Sequence, residues 1–537
     1  MKQTHIESKA ARQAAVAARH PRALAPSNLI LTLVLSAFGA VVGIQVLVTL
    51  GITPSTSQIG ALAAMTLARI PLQAFRGFRN VHAQNLAQTS ISSATFGAAN
   101  SLLLPIGIPF LFGLPQMIAP MLVGVSLAML LDAWLLYRMF GTSAFPATGA
   151  WPLGIAAAES IKAGDQGGRQ AVVLLGGLLT GAAGSVLSLP MSAFGVALIG
   201  SLGAMVAFAM GLLLRGYSTA LFHVEIAKLY APQGMMIGAG IIALIQMARM
   251  VIGQSVAPRT SDAVSKGADG LGRSLSLGAT GYIAITVALA IATGIYVSMS
   301  PGLLVLFVLY AAAAAFVHEL IVGIAAMHSG WFPAFAVAMI TLLLGILVGF
   351  PPEALVVLSG FTAATGPAFA DMGYDLKAGY LLRGEGADVE FEREGRRQQL
   401  IAGMLGFVVA IAVVSVSYPL LFRHHQTPPI DAAYVAAIRA GISAEAARSL
   451  AMWAIPGAVL QLVGGSGKQL GILFATGLLI AAPTAGWLVV AGIVVRLCAR
   501  RLLGDEGTKQ LQVFAGGVIA GDAVFGFFSG AVRSFRK

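Results

Sequence analysis

Residues 171–214 read AVVLLGGLLTGAAGSVLSLPMSAFGVALIGSLGAMVAFAMGLLL, without one charged side chain. About 20 apolar residues cross the hydrocarbon core of a bilayer, so this stretch is long enough for two crossings. Pro190 is the natural place to divide it, because proline removes a helix hydrogen bond. The same character returns at 28–50, at 274–317 (divided near Ser300, Pro301 and Gly302), and at 320–350, 398–422 and 469–495; 509–532 completes the set, with Lys509 and Asp522 as its charges. With the shorter candidates the length criterion gives roughly 14–16 transmembrane helices. All must be helices, since a sheet with free edges leaves its backbone unsatisfied in lipid. The expected fold is an all-α polytopic membrane protein.

Composition agrees. Of 537 residues 57% are hydrophobic and only 10% charged, with a mean hydropathy of +0.85. Soluble domains carry about 25% charged residues, so this surface faces something other than water. The 64 glycines suit helices that approach closely in a membrane. The net charge of +12 lies mostly in short connections and both tails, which fits membrane orientation and argues against a nucleic-acid face. One cysteine, Cys498, excludes an intramolecular disulfide and a cysteine-clustered metal site. It ends an apolar run and reads as a packing residue.

Basic residues set the expected orientation. Lys2, Lys9, Arg12, Arg19 and Arg22 stand against Glu7 alone, and the chain ends on Arg533, Arg536 and Lys537. Both tails should stay cytoplasmic, and the first apolar run should be an uncleaved helix. The resulting division is a tail at 1–27, a first transmembrane half at 28–256, a central loop at 257–273, a second half at 274–532 and a tail at 533–537. Simple alternation does not place every basic loop inside, so some segments should enter and leave on one side. Two invite that reading. Residues 142–170 read TSAFPATGAWPLGIAAAESIKAGDQGGRQ, and 359–399 contain GFTAATGPAFADMGYDLKAGYLLRG. Each has a Pro- and Gly-bearing apolar entry, then Lys-Ala-Gly at Lys162 or Lys377, then a polar loop and a Gly-rich helix. Two pseudo-repeated halves with re-entrant or broken helices are a common construction of secondary transporters.

At these segments the chain resembles the oligopeptide transporter family, including its yellow-stripe-like metal-chelate branch. Asp371-Met-Gly-Tyr-Asp375-Leu-Lys377-Ala-Gly379-Tyr380-Leu381 is similar to that family's Asp-x-x-x-Asp-(apolar)-Lys-x-Gly-Tyr-Leu element. The run from Phe145-Pro146 to Gln170, the Gly517–Asp522 segment, and Asn85 with Gln88 and Thr89 resemble further elements in the family's order. The Asn-Pro-Gly and Lys-Ile-Pro-Pro elements of the peptide-transporting branch are missing, and Ala147-Thr148-Gly149 stands where many relatives place Ser-Gly-Thr or Glu-Gly-Thr. The resemblance implies a proton-driven importer (a symporter) of short peptides or of a metal held by an organic chelator. The expected location is the bacterial inner membrane, as a multi-pass protein, and a homodimer stays open.

Ionisable groups among apolar residues are costly unless paired or hydrated, so each is a candidate. Asp371 and Asp375 share one helical face, with Tyr374 between them and Lys377 close behind. One carboxylate could hold a proton while the other pairs with Lys377, or the set could be a structural ion pair. Gly379 is expected to end or bend the helix, and Gly360, Gly366 and Pro367 to break it beforehand. Asp522 has no base near it in sequence and must pair with another helix or titrate. Glu159 and Lys162 are spaced for a local pair. Asp132 reads as a partner for a nearby arginine such as Arg138, with a substrate role as the alternative. Asn85, Gln88 and Thr89 belong to a polar stretch suited either to solute binding or to helix–helix hydrogen bonds. His318, Glu319 and His328 fit packing or a proton relay, and His424-His425 a loop.

Other functions fare worse. There is no Walker phosphate loop and no His-Glu-x-x-His zinc motif. An intramembrane aspartyl protease would need Gly-x-Gly-Asp, but Lys162-Ala-Gly-Asp165 and Ile519-Ala-Gly-Asp522 lack the first glycine. A passive channel stays open. No cofactor or bound metal is expected.

Overall fold

The computed structural model describes residues 20–51, 80–164, 169–254, 268–329, 334–441 and 444–535. Asp165, most of the central loop and the basic ends of both tails lie outside them. The described residues are helical almost throughout, apart from an isolated bridge between Phe140 and Phe145. The first helices are α1 (Pro26–Leu50), α2 (Val81–Phe96), α3 (Leu104–Phe112), α4 (Ile118–Met139), α5 (Pro152–Gly164), α6 (Arg169–Val186), α7 (Met191–Ile199), α8 (Leu202–Phe222) and α9 (Ala231–Gln254). There follow α10 (Ala268–Ala292), α11 (Pro301–Ser329), α12 (Ala334–Val348), α13 (Pro352–Ala364), α14 (Pro367–Leu382), α15 (Val389–Arg423), α16 (Asp431–Ala440), α17 (Ala444–Lys468), α18 (Leu470–Leu479) and α19 (Pro483–Phe535), the last kinked at Gly504. Nine spans among the described residues are long and apolar enough to cross a bilayer, and four shorter apolar helices join them. This is an all-α polytopic membrane protein.

Several runs that read as single crossings are broken. The 171–214 stretch divides twice, into α6, α7 and α8. The second division falls at Gly200, which is extended, and Ser201, whose hydroxyl caps α8 by accepting from Ala204 N–H. The 469–495 run likewise stops at Ile480 and restarts at Pro483. Apolar composition alone cannot separate a half-helix from a whole one. Cys498 is exposed, contrary to the packing role expected of it.

The helices gather in two groups. In one, α14 is surrounded by α2, α4, α5, α11 and α15; in the other, α6, α7 and α8 pack with α18 and α19, and α9 with α17 and α18. The 13-residue helix α5 lies directly on α14, so the two segments that resemble each other in sequence meet in space. Pro152 begins one and Pro367 the other, and each reaches its Lys-Ala-Gly at the same spacing.

Close approach holds the second group together. A Cβ on Gly181 of α6 would stand 2.1 Å from the Val518 carbonyl oxygen of α19, whereas a Cβ on Gly176 would meet nothing within 4 Å. Gly181→Leu is therefore expected to overpack the α6–α19 contact, costing about 1–3 kcal/mol or more. Gly176→Leu should leave stability unchanged. Thermal denaturation of the two purified variants in detergent makes the comparison, and equal melting would contradict this packing.

Candidate functional site

Two interrupted helices build the centre of the first group. Pro352–Leu382 is the only span among the described residues whose apolar window is entirely buried. It breaks where Thr365 is extended and Gly366 takes φ +90°, a conformation that favours glycine. Pro367 then opens α14, where a missing N–H costs nothing. The break expected from Gly366 and Pro367 is thus found. Its partner, α2, starts at Asn80, whose side chain accepts from the N–H groups of His82 and Ala83. It passes into a wider π-helical segment, Gly97–Leu103, before α3.

Between α2 and α14 runs a buried polar seam. Gln88 Nε2 donates to Asp375 Oδ1 at 2.6 Å, and Ser92 Oγ donates to Asp371 Oδ1 at 2.7 Å. Asn85 Nδ2 donates to Gln88 Oε1 at 3.0 Å. From α15, Gln399 Nε2 donates to the Asp375 carbonyl oxygen at 2.7 Å and to Thr89 Oγ1 at 3.3 Å. Gln399 Oε1 accepts from Arg383 Nη1 at 2.7 Å, and Arg383 clasps Glu392 through Nε at 2.7 Å and Nη2 at 3.1 Å. A continuous hydrogen-bonded chain therefore leads from Asn85 through Gln88 and Asp375 to Gln399 and Arg383 at the end of α14, with Ser92 and Asp371 beside it. Gly379 does not end or bend the helix. Its missing side chain makes room for Gln399 Oε1, which a Cβ would approach to 2.1 Å.

At the outer end of the seam His20 packs its ring on His82 and Phe391, and Ala23 N–H donates to Gln398 Oε1 at 2.8 Å. Burial pushes the His20 imidazole down to about 4, which makes it neutral at ordinary pH. Near the helix break, a cavity of about 150 Å³ is lined by residues that include Asn100, Gly240, Ala363, Pro367, Tyr434 and Ile472. Typical ligand pockets span roughly 300–1,000 Å³, so this one is small.

Of the expected site residues, Asn85, Gln88, Thr89, Asp371 and Asp375 come together. Lys377 does not join them: its Nζ donates to the Ala147 carbonyl at 3.0 Å and stands over the Tyr380 ring. It points toward the loop before α5, away from the α2 face that both aspartates meet. Tyr374 also faces the α5 side, edge-on to Trp151. Glu159 and Lys162 form an exposed 3.0 Å pair. Asp522 lies in the second group, where its Oδ2 accepts from Ser192 N–H and Ser192 Oγ, both at 2.7 Å, at the start of α7.

Asp132 does not pair with Arg138, which stacks on Trp134. It meets instead Tyr282 of α10 and Gly366 of the helix break, and Tyr282 also reaches Glu319 of α11. Tyr282 was invisible in the sequence, where a lone tyrosine in an apolar run carries no signal. So was Asp431, fully buried at the start of α16, with neither carboxylate oxygen hydrogen-bonded among the described residues.

A family model described as OPT oligopeptide transporter protein matches residues 228–532, more than half of the chain. The match contains α13, α14, α15 and Asp522, and begins after Asn85, Gln88, Thr89 and the 142–170 segment. No curated protein and no solved structure matches the chain.

Proposed function

We propose, from the premise that this chain belongs to the OPT oligopeptide transporter family, that it is a proton-coupled importer of short peptides or of metal chelates in the bacterial inner membrane. Transport by a multi-pass membrane protein follows from the family and the helices; the coupling and the substrate class are our reading. One observation carries it. Asp371 and Asp375 stand one turn apart on a buried helix and take hydrogen bonds from the neutral groups of Ser92 and Gln88. Among the described residues no ion pair includes Asp375. Two carboxylates one turn apart on a buried helix favour keeping one of them protonated over carrying two charges.

The seam lies beside the break at Gly366 and the cavity bordered by Pro367, so a proton taken up there acts on the helix that borders the solute space. Broken helices with exposed backbone groups at mid-bundle are where transporters bind polar solutes. In this reading Gln88 and Ser92 tie α2 to α14, Asn85 braces Gln88, Thr89 holds Gln399 of α15, and repulsion between the two aspartates when both ionise strains the seam.

Reconstituted protein should accumulate radiolabelled solute uphill when an inward proton gradient is imposed, and only equilibrate without one. A short-peptide pool and a metal-chelate pool, run separately, assign the substrate class. Accumulation of neither pool above equilibrium would leave a passive channel as the better reading.

A further inference from the structure

Deep in the first group, three helices bring Asp132, Tyr282 and Glu319 into contact at the helix break. All three side chains are buried, at 0% exposure. The Tyr282 hydroxyl lies against Asp132 Oδ1 and 2.8 Å from Glu319 Oε2. The other oxygen of Asp132 accepts from Gly366 N–H at 2.7 Å. Neither carboxyl belongs to any ion pair among the described residues.

Counting protons decides what this cluster holds. A phenol has one proton and can donate to one carboxylate only. Two ionised carboxylates would leave one facing a phenol oxygen lone pair, with two buried like charges across a single atom and no cation to offset them. Asp132 already has the Gly366 N–H, which favours its charged form. The consistent arrangement places one extra proton on Glu319 Oε2, which donates to the Tyr282 oxygen, while the Tyr282 proton goes to Asp132.

We propose that Asp132, Tyr282 and Glu319 form a second proton-binding site, separate from the Asp371–Asp375 seam, that latches the helix break at Gly366. With the proton present, the chain Glu319–Tyr282–Asp132–Gly366 is complete, and it fixes the N-terminal end of the helix that carries the seam. With the proton gone, repulsion between Asp132 and Glu319 breaks the bridge and frees Gly366. The charged and titratable groups around the cluster are few. His318, next to Glu319, is engaged by Thr365 Oγ1 and the Ala334 carbonyl. Asp371 lies further along α14, on the α2 side. Arg138 and Arg396 stack on aromatic rings toward the end of α4.

The role of this latch in transport rests on the proton-coupled reading, but the proton can be detected without transport. Infrared difference spectra of the purified protein, recorded across a pH titration, report protonated carboxyl groups directly. Glu319→Gln and Asp132→Asn keep the size and hydrogen-bonding reach of each side chain, and gel filtration checks that both remain folded. The wild type should show a protonated-carboxyl band that disappears in Glu319→Gln. It should also disappear in Asp132→Asn, where Glu319 ionises and accepts the hydrogen bond of the Tyr282 hydroxyl. The band should survive in Asp375→Asn. Persistence of the full set of bands in either Glu319→Gln or Asp132→Asn would overturn the site. Absence of proton-driven uptake in the wild type would instead count against the coupling reading and leave the band where it is.

Discussion

Asp375→Asn is expected to abolish proton-driven accumulation while the protein still inserts, folds and exchanges solute across the membrane. The substitution keeps an oxygen in the position that accepts from Gln88 Nε2, so the α2–α14 contact survives. It removes the ability to gain and lose a charge, which is what couples the seam to a proton gradient. Uphill uptake should fall to the level of liposomes without a gradient, and exchange of labelled for unlabelled solute should persist. Asp371→Asn should weaken accumulation in the same way, since Ser92 Oγ still finds an acceptor there. Normal uphill transport by both variants would make the pair structural and move the coupling role elsewhere in the chain.

Arg383→Ala is expected to be among the most destabilising single substitutions in the first group. The guanidinium side chain is fully buried, and it joins Glu392 by two hydrogen bonds and Gln399 by a third. Removing one member of such a pair leaves a buried charge without compensation, at a cost of about 3–5 kcal/mol. The loss should appear as a large drop in melting temperature in detergent. Adding Glu392→Gln to Arg383→Ala should restore part of it, because the orphaned carboxylate is then gone. If Arg383→Ala melts with the wild type, the clasp does not anchor α14 to α15.

Much of this architecture could be read from the chain. Uncharged length located the helices, and Gly366 followed by Pro367 located the central break, because both act through the local backbone. The meeting of the Asn85–Thr89 stretch with the aspartates, through Gln88 and Asp375, was legible only as a coincidence of polar stretches. Their contact depends on how α2 and α14 pack, which no local pattern encodes. Lys377 shows the opposite failure. Its nearness to Asp375 in sequence suggested an ion pair, but on a helix two residues apart point to different faces. Asp132 was assigned to Arg138 for the same reason, sequence proximity, when its partners lie on α10 and at the break. Half-helices such as α7 and α18 were merged into full crossings because apolar length is all that composition reports.

The most direct test of proton coupling is substrate-driven proton movement. Proteoliposomes carrying a trapped pH indicator, with equal pH and no membrane potential at the start, receive solute on the outside only. If solute entry is coupled to proton entry, the lumen acidifies as solute enters, and Asp375→Asn abolishes the acidification. Solute entry at constant lumenal pH in the wild type would contradict the account.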